Sequence, residues 1–334
     1  MSAPVRPVPV RPAPVLSIRD LTVDIPTRRA VLRPVDGVTY DIRAGEILGV
    51  VGESGAGKSM AGNAVSGLLD PPARIAGGEI RLKGERIDTL SPDAMRRLRG
   101  SEIGMIFQDP GSSLNPLLKI GDQLTETMHT HLTLNRREAR ARAVAALEEV
   151  GIPAAAERID SYPHEFSGGM RQRVVIALAL AAEPSLVIAD EPTTALDVSV
   201  QAQIIALLKR LCRERGMAVM LITHDIGVIV QAADHVAVMY AGRLAEIGAV
   251  RDVIRAPRHP YTAGLLASAP ASSPGARRLR QIPGAMPGLG ALPAGCAFHP
   301  RCERAGPRCT ADPAPTLAAD GGRAACWHPL EGGA

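Results

Sequence analysis

The segment Gly52-Glu-Ser-Gly-Ala-Gly57-Lys58-Ser59 constrains this chain more than any other stretch. It matches G-x-x-x-x-G-K-S/T, follows the apolar run ILGVV and opens a helix-compatible sequence, which is the strand–loop–helix setting that the motif requires. From the chain's own residue frequencies, roughly 0.004 such matches arise by chance. Glycines at these spacings let consecutive backbone N–H groups converge on an anion, and the helix N-terminus behind them adds partial positive charge. Lys58 is placed to reach the β- and γ-phosphates of a polyphosphate, and Ser59 to ligate Mg²⁺. Gly52, Glu53, Ser54, Gly55, Ala56, Gly57, Lys58, Ser59 and Met60 are the expected nucleotide-binding residues.

A second apolar run, Leu186-Val-Ile-Ala, ends in Asp190-Glu191. A buried strand with this ending delivers both carboxylates to the C-terminal edge of a parallel sheet, where a phosphate loop also sits. Asp190 is expected to hold Mg²⁺, directly or through water, and Glu191 to polarise an attacking water. A third stretch, Ser167-Gly-Gly-Met-Arg171-Gln-Arg173, offers a hydroxyl and bare N–H groups at a helix start. Taken alone, it reads more simply as an ordinary N-capped helix.

Around these motifs, short β-rich runs (46–51, 102–107, 185–190, 217–223 and 234–240) alternate with helical patterns (57–69, 135–150, 167–181 and 198–215). That alternation predicts an α/β fold with a parallel sheet covered on both faces. Residues 91–162 read as an inserted helical subdomain. Residues 1–15 hold five prolines and read as a disordered arm. Apolar residues are 46% of the chain but aromatics only 2%, so the core must be built from Leu, Val, Ile, Ala and Met. The longest apolar run, Val174–Ala182, falls far short of the roughly 20 residues that span a bilayer. The N-terminus also lacks the apolar stretch of a secretory signal, so the chain is expected to stay in the cytoplasm. A net charge of +4 does not argue for nucleic-acid binding.

Together these residues resemble the ATP-binding cassette family. Ser167, Gly168, Gly169, Met170 and Gln172 match its signature sequence, with Met170 replacing the usual Gln. Gln108 resembles the loop glutamine that senses Mg²⁺ and contacts the membrane partner. Thr194-Ala195-Leu196-Asp197 resembles the loop that crosses the dimer interface, and His224 the switch histidine that contacts the γ-phosphate. The resemblance covers roughly residues 16–258 and implies a phosphate-loop nucleotide-binding domain: a parallel sheet core, an antiparallel β subdomain and the inserted helices. It implies ATP hydrolysis with Lys58, Glu191 and His224 as the catalytic set and Ser59, Gln108 and Asp190 around Mg²⁺. It further implies a head-to-tail dimer, in which the signature of one subunit closes on the phosphate loop of the other. One departure is plain: no aromatic residue lies near Pro26–Val31 to stack on adenine. Arg28 or Arg29 can offer a guanidinium plane instead.

Residues 259–334 form a proline-rich extension. The stretch from Arg258 through Tyr261, the cysteine-bearing tail and Ser113-Leu-Asn-Pro-Leu all resemble ATPase subunits of the oligopeptide/dipeptide importer branch. That likeness implies two permease subunits, an extracytoplasmic substrate-binding protein, a paralogous second ATPase and a peripheral place on the cytoplasmic face of the bacterial inner membrane. Nickel importers share much of the branch, and soluble ATPases acting on nucleic acid or ribosomes share the cassette motifs. Cys212 reads as a buried core thiol. Cys296, Cys302, Cys309 and Cys326 follow C-x5-C-x6-C-x16-C, a crowd that points to metal in a reducing compartment. Some members of the branch with this tail hold a 4Fe–4S cluster, and the resemblance implies one here; zinc and unmetallated thiols are the other readings. Arg301, Arg304 and Arg308 are expected to be solvated or to compensate charge there.

Overall fold

A computed structural model describes residues 13–194, 196–268, 281–315, 317 and 324–331. Most of the proposed arm, residues 1–12, lies outside the described residues, and regular structure begins at Leu16, as the sequence implies. Strands β1 (Leu16–Pro26) and β2 (Val31–Ile42) form a hairpin, and β3 (Ile47–Val51) leads through the phosphate loop into α1 (Lys58–Ser66). Strands β4 (Arg74–Leu82) and β5 (Glu85–Arg86) follow, then α2 (Pro92–Ser101) and β6 (Ile103–Ile106). The helical insert comprises α3 (Pro110–Ser113), α4 (Ile120–His131), α5 (Arg136–Glu149) and α6 (Ala155–Arg158). The chain then alternates through α7 (Gly168–Ala179), β7 (Leu186–Asp190), α8 (Val198–Arg215), β8 (Ala218–Thr223), α9 (Ile226–Ala232) and β9 (His235–Tyr240). It closes with β10 (Arg243–Ala249), α10 (Val250–Arg255), α11 (Pro260–Ser268) and α12 (Pro307–Ala311).

Two sheets result. The main sheet has the order β10-β9-β3-β8-β7-β6, parallel except for the edge strand β10. The smaller sheet, β2-β1-β4-β5, is antiparallel. All five residues of β3 are buried, and they alternate between two cores as a pleated strand must. Leu48 and Val50 face the antiparallel sheet beside Ile18, Val38 and Ile80. Ile47 and Val51 face the helices beside Val175, Ile204 and Leu208. Span 91–162 is not purely helical, however: β6 lies inside it and pairs in parallel with β7. The run 102–107, expected as a strand, forms β6 at the sheet edge, and the helices of the insert follow it from Pro110.

Helix starts follow local capping chemistry. Asn135 and Glu138 form a reciprocal capping box on α5, and Asp197 and Asp225 accept backbone N–H groups at the starts of α8 and α9. Cys212 is fully buried in α8, as expected, and burial pushes its thiol up to about 11.

Among the described residues, Tyr261 and Phe298 of the extension pack into the cassette's own core. Three of the chain's eight aromatic residues meet at the seam. Tyr240 lies 4.6 Å from Tyr261 and 5.2 Å from Phe298 between ring centroids, and Tyr261 lies 5.4 Å from Phe298. Backbone also crosses the seam: Ala324 bridges Glu246, and the Ala325 N–H donates to the Ala245 carbonyl at 2.8 Å. Arg304 and Arg308 are exposed, with Arg308 stacked over Trp327 at 3.7 Å. Arg301 departs from expectation, because its side chain is only 6% exposed and is paired with Glu53 of the phosphate loop. Phe298→Ala should therefore lower unfolding stability by about 3–5 kcal/mol in urea titration, the cost of emptying an aromatic site in a packed core; a loss below about 1 kcal/mol would place the extension outside that core.

Candidate active site

Four parallel strands deliver the site. The loops after β3, β6, β7 and β8 all leave the same edge of the sheet and carry, in turn, the phosphate loop, Gln108, Asp190-Glu191 and His224. Gly57 holds φ +99°, and a Cβ there would sit 2.1 Å from the Pro34 carbonyl oxygen, so only glycine fits. Ser54, Gly55 and Ser59 are exposed at the mouth, Met60 is half-buried, and Gly52, Ala56 and Lys58 are buried. Lys58 Nζ donates to the carbonyls of Gly52 and Glu53, both at 2.9 Å. Its burial lowers the lysine pKa, opposed by the carboxylates of Glu191, Asp190 and Glu53. Glu53 turns away from the cradle: its N–H donates to Tyr261 Oη at 3.0 Å and its carboxylate meets Arg301.

Asp190 and Glu191 differ in character. Ser59 Oγ donates to Asp190 Oδ1 at 3.0 Å, and burial raises the Asp190 pKa despite that bond. Glu191 sits at φ +48°, a left-handed conformation that a non-glycine residue adopts at a cost. Its carboxylate gathers three groups. Gln108 Nε2 donates to Oε2 at 3.0 Å, Thr194 Oγ1 donates to Oε2 at 2.9 Å, and His224 Nδ1 lies 2.9 Å from Oε1. Burial pushes the Glu191 pKa up, but the hydrogen bonds from His224 and Thr194 outweigh it and leave the carboxyl below its ordinary value. Glu191 is therefore an ionised acceptor at neutral pH. Thr194 was read from sequence only as part of the interface loop; its place three residues after Glu191 in a turn is the one signal for this bond.

The signature residues lie elsewhere on the surface. Ser167 caps α7, accepting the Met170 N–H at 3.4 Å; Ser167 and Gly168 are exposed, and Gly169 and Met170 are half-buried. Gln172, expected among the signature contacts, is 1% exposed and turns into the core. It lies on the buried side of α7 with Val175 and Ile176, so helical periodicity removes it from the surface. Leu196 approaches Gly168, and Asp197 caps α8 through the Val200 N–H at 2.9 Å. Ala195 lies outside the described residues. Arg28 and Arg29 are exposed in the turn between β1 and β2.

Cys296, Cys302, Cys309 and Cys326 line one small cavity with His299, Trp327 and His328. Burial raises the thiols of Cys296, Cys302 and Cys326. Among the described residues, no group of three or more His, Cys, Asp or Glu side chains is placed to hold a metal ion.

A lysine-bearing phosphate loop, a strand-end Asp-Glu pair, a glutamine loop and a histidine on one sheet edge define a nucleotide-hydrolysing domain of the ATP-binding cassette type. The family described as ABC transporter matches residues 35–194, and the oligopeptide/dipeptide transporter C-terminal region matches residues 245–309. The dipeptide transport ATP-binding protein DppD of Escherichia coli is 45% identical, over 95% of this chain and 97% of its own length. The oligopeptide transport ATP-binding protein OppD of Bacillus subtilis is 49% identical, over 87% and 82% respectively. Among solved structures, the dimeric post-hydrolysis cassette MJ0796 bound to ADP and Pi superposes with a TM-score of 0.63 at 28% identity, covering 71% of this chain and 99% of that one. The chain belongs to the ABC transporter ATPase family and, within it, to the oligopeptide/dipeptide transporter branch.

Proposed function

We propose that this chain is the ATP-hydrolysing subunit of a bacterial importer for di- or oligopeptides. The observation that carries the reading is the Glu191 carboxylate, ionised and gripped by Gln108, Thr194 and His224 beside Lys58 and Ser59. In this reading Lys58 and the loop N–H groups bind the β- and γ-phosphates, while Ser59, Asp190 and Gln108 surround Mg²⁺. Glu191 accepts a proton from the attacking water and His224 aligns the γ-phosphate. The cassette spans residues 16–258, and the extension begins at 259.

A second cassette completes the site, its Ser167–Met170 segment closing over the nucleotide. Val198, 84% exposed at the start of α8 beside the interface loop, is available to such a contact. A paralogous ATPase supplies that second cassette. Next to Gln108, a cleft of about 510 Å³ lined by Leu68, Ile103, Met105, Phe107 and Val175 receives a coupling helix from one permease subunit, and the second permease subunit engages the second cassette. No helix of the described residues is long and apolar enough to cross a membrane, so the span is left to the permeases, and the chain sits on their cytoplasmic face. An extracytoplasmic binding protein delivers the peptide.

The four cysteines, which line one small cavity, are read as the ligands of a 4Fe–4S cluster, with zinc as the alternative. A cluster there supplies a staple for a proline-rich segment and stands apart from hydrolysis.

Two outcomes check these assignments. Glu191→Gln should retain ATP-driven dimerisation while turnover falls about 10²–10⁴-fold; hydrolysis at the wild-type rate would remove Glu191 from its role. Anaerobically purified protein should carry about four irons and four sulfides per chain, lost in Cys302→Ser. One zinc per colourless chain would replace the cluster with a structural clip.

A further inference from the structure

The extension reaches the phosphate loop at three points that the hydrolysis reading does not use. Tyr261 Oη accepts the Glu53 N–H, Met286 Cε lies 3.2 Å from where a Cβ on Gly55 would stand, and Arg301 meets the Glu53 carboxylate. Arg301 leaves the single 3₁₀ turn His299–Arg301 with Nη1 at 2.9 and 3.1 Å from the two Glu53 oxygens. Its other contacts are the Pro283 carbonyl at 2.8 Å and the Tyr240 hydroxyl at 3.3 Å, with the rings of Tyr240 and Phe298 5.8 and 6.0 Å from the guanidinium. The cation is nearly sealed from water, at 6% side-chain exposure, while the Glu53 side chain is 29% exposed.

This arrangement has an electrostatic consequence for the loop. Glu53 places a carboxylate within a structure whose task is to receive a polyphosphate, and like charges at this range oppose binding. A buried guanidinium that hydrogen-bonds both carboxylate oxygens cancels that charge and fixes where the carboxylate points. The two residues stand 248 positions apart, so nothing local in the chain arranges the pair.

We propose that Arg301 is a positioning residue for nucleotide binding, neutralising and tying down the Glu53 carboxylate so that the phosphate loop meets the polyphosphate without it. The inference rests on the ATPase reading above and extends it to the C-terminal extension.

The test is nucleotide affinity of the full-length chain, measured with a fluorescent ATP analogue, beside steady-state KM and kcat for ATP. Arg301→Gln should weaken binding and raise KM about tenfold, with kcat held within about twofold. Glu53→Gln alone should bind the analogue at least about fivefold more tightly than Arg301→Gln, because the charge that needed masking is gone. The double variant should return to within about threefold of wild type, a suppression that bracing of the extension does not produce. Binding in the double variant as weak as in Arg301→Gln, or weaker, would overturn the proposal. If Arg301→Gln does not fold, Glu53→Gln decides alone: a loss beyond about fivefold would mean that the carboxylate supports the nucleotide, which contradicts the masking role. Failure of the wild-type chain to bind the analogue would count against the ATPase reading itself, and is told apart from these outcomes by that control.

Discussion

Because the parallel strands are buried on both faces, their only free ends are their edges, and all the chemistry of this chain is placed there. β3 and β8 lie side by side in exact parallel register from Ile47 opposite Val219 to Val51 opposite Thr223, so the loops that follow them emerge at the same level. β7 is locked to β8 in the same way through Asp190 opposite Ile222. Lys58, Asp190, Glu191 and His224 thus come together from residues up to 166 positions apart without any local sequence linking them. A one-residue slip of β7 would exchange its two faces between the cores and move both carboxylates off the edge.

Within that frame the site stores strain at one residue. Glu191 holds a left-handed backbone, which costs on the order of 1–3 kcal/mol. Its N–H bond to the Ile222 carbonyl at 2.9 Å and the three side-chain partners of its carboxylate hold it there. Those partners come from three different loops. Motion of the Gln108 loop or of the His224 loop therefore alters the acceptor directly.

Much of this was legible in the sequence because the signals are local. The phosphate loop, the Asp-Glu strand end and helix α8, whose bounds are Val198–Arg215 as read, depend on spacing, capping and apolar periodicity over a few residues. The antiparallel sheet was expected from resemblance alone, since β1 and β2 carry bulges and irregular alternation that blur a period of two. The strand at 102–107 was also legible, although the span 91–162 drawn around it reads as helical; that Gln172, grouped with the signature residues, turns into the core is a matter of packing. Least visible was the seam. Arg301 reads as one more arginine in a chain that holds 38 lysines and arginines, and only the fold brings it to Glu53.

The most direct measurement of the central claim is ATP hydrolysis by this chain assembled with its permease subunits in lipid vesicles, with and without the loaded binding protein. The account predicts hydrolysis stimulated by di- or oligopeptides and indifferent to Ni²⁺. Stimulation by Ni²⁺ alone, or by nucleic acid in the absence of membrane partners, would contradict it.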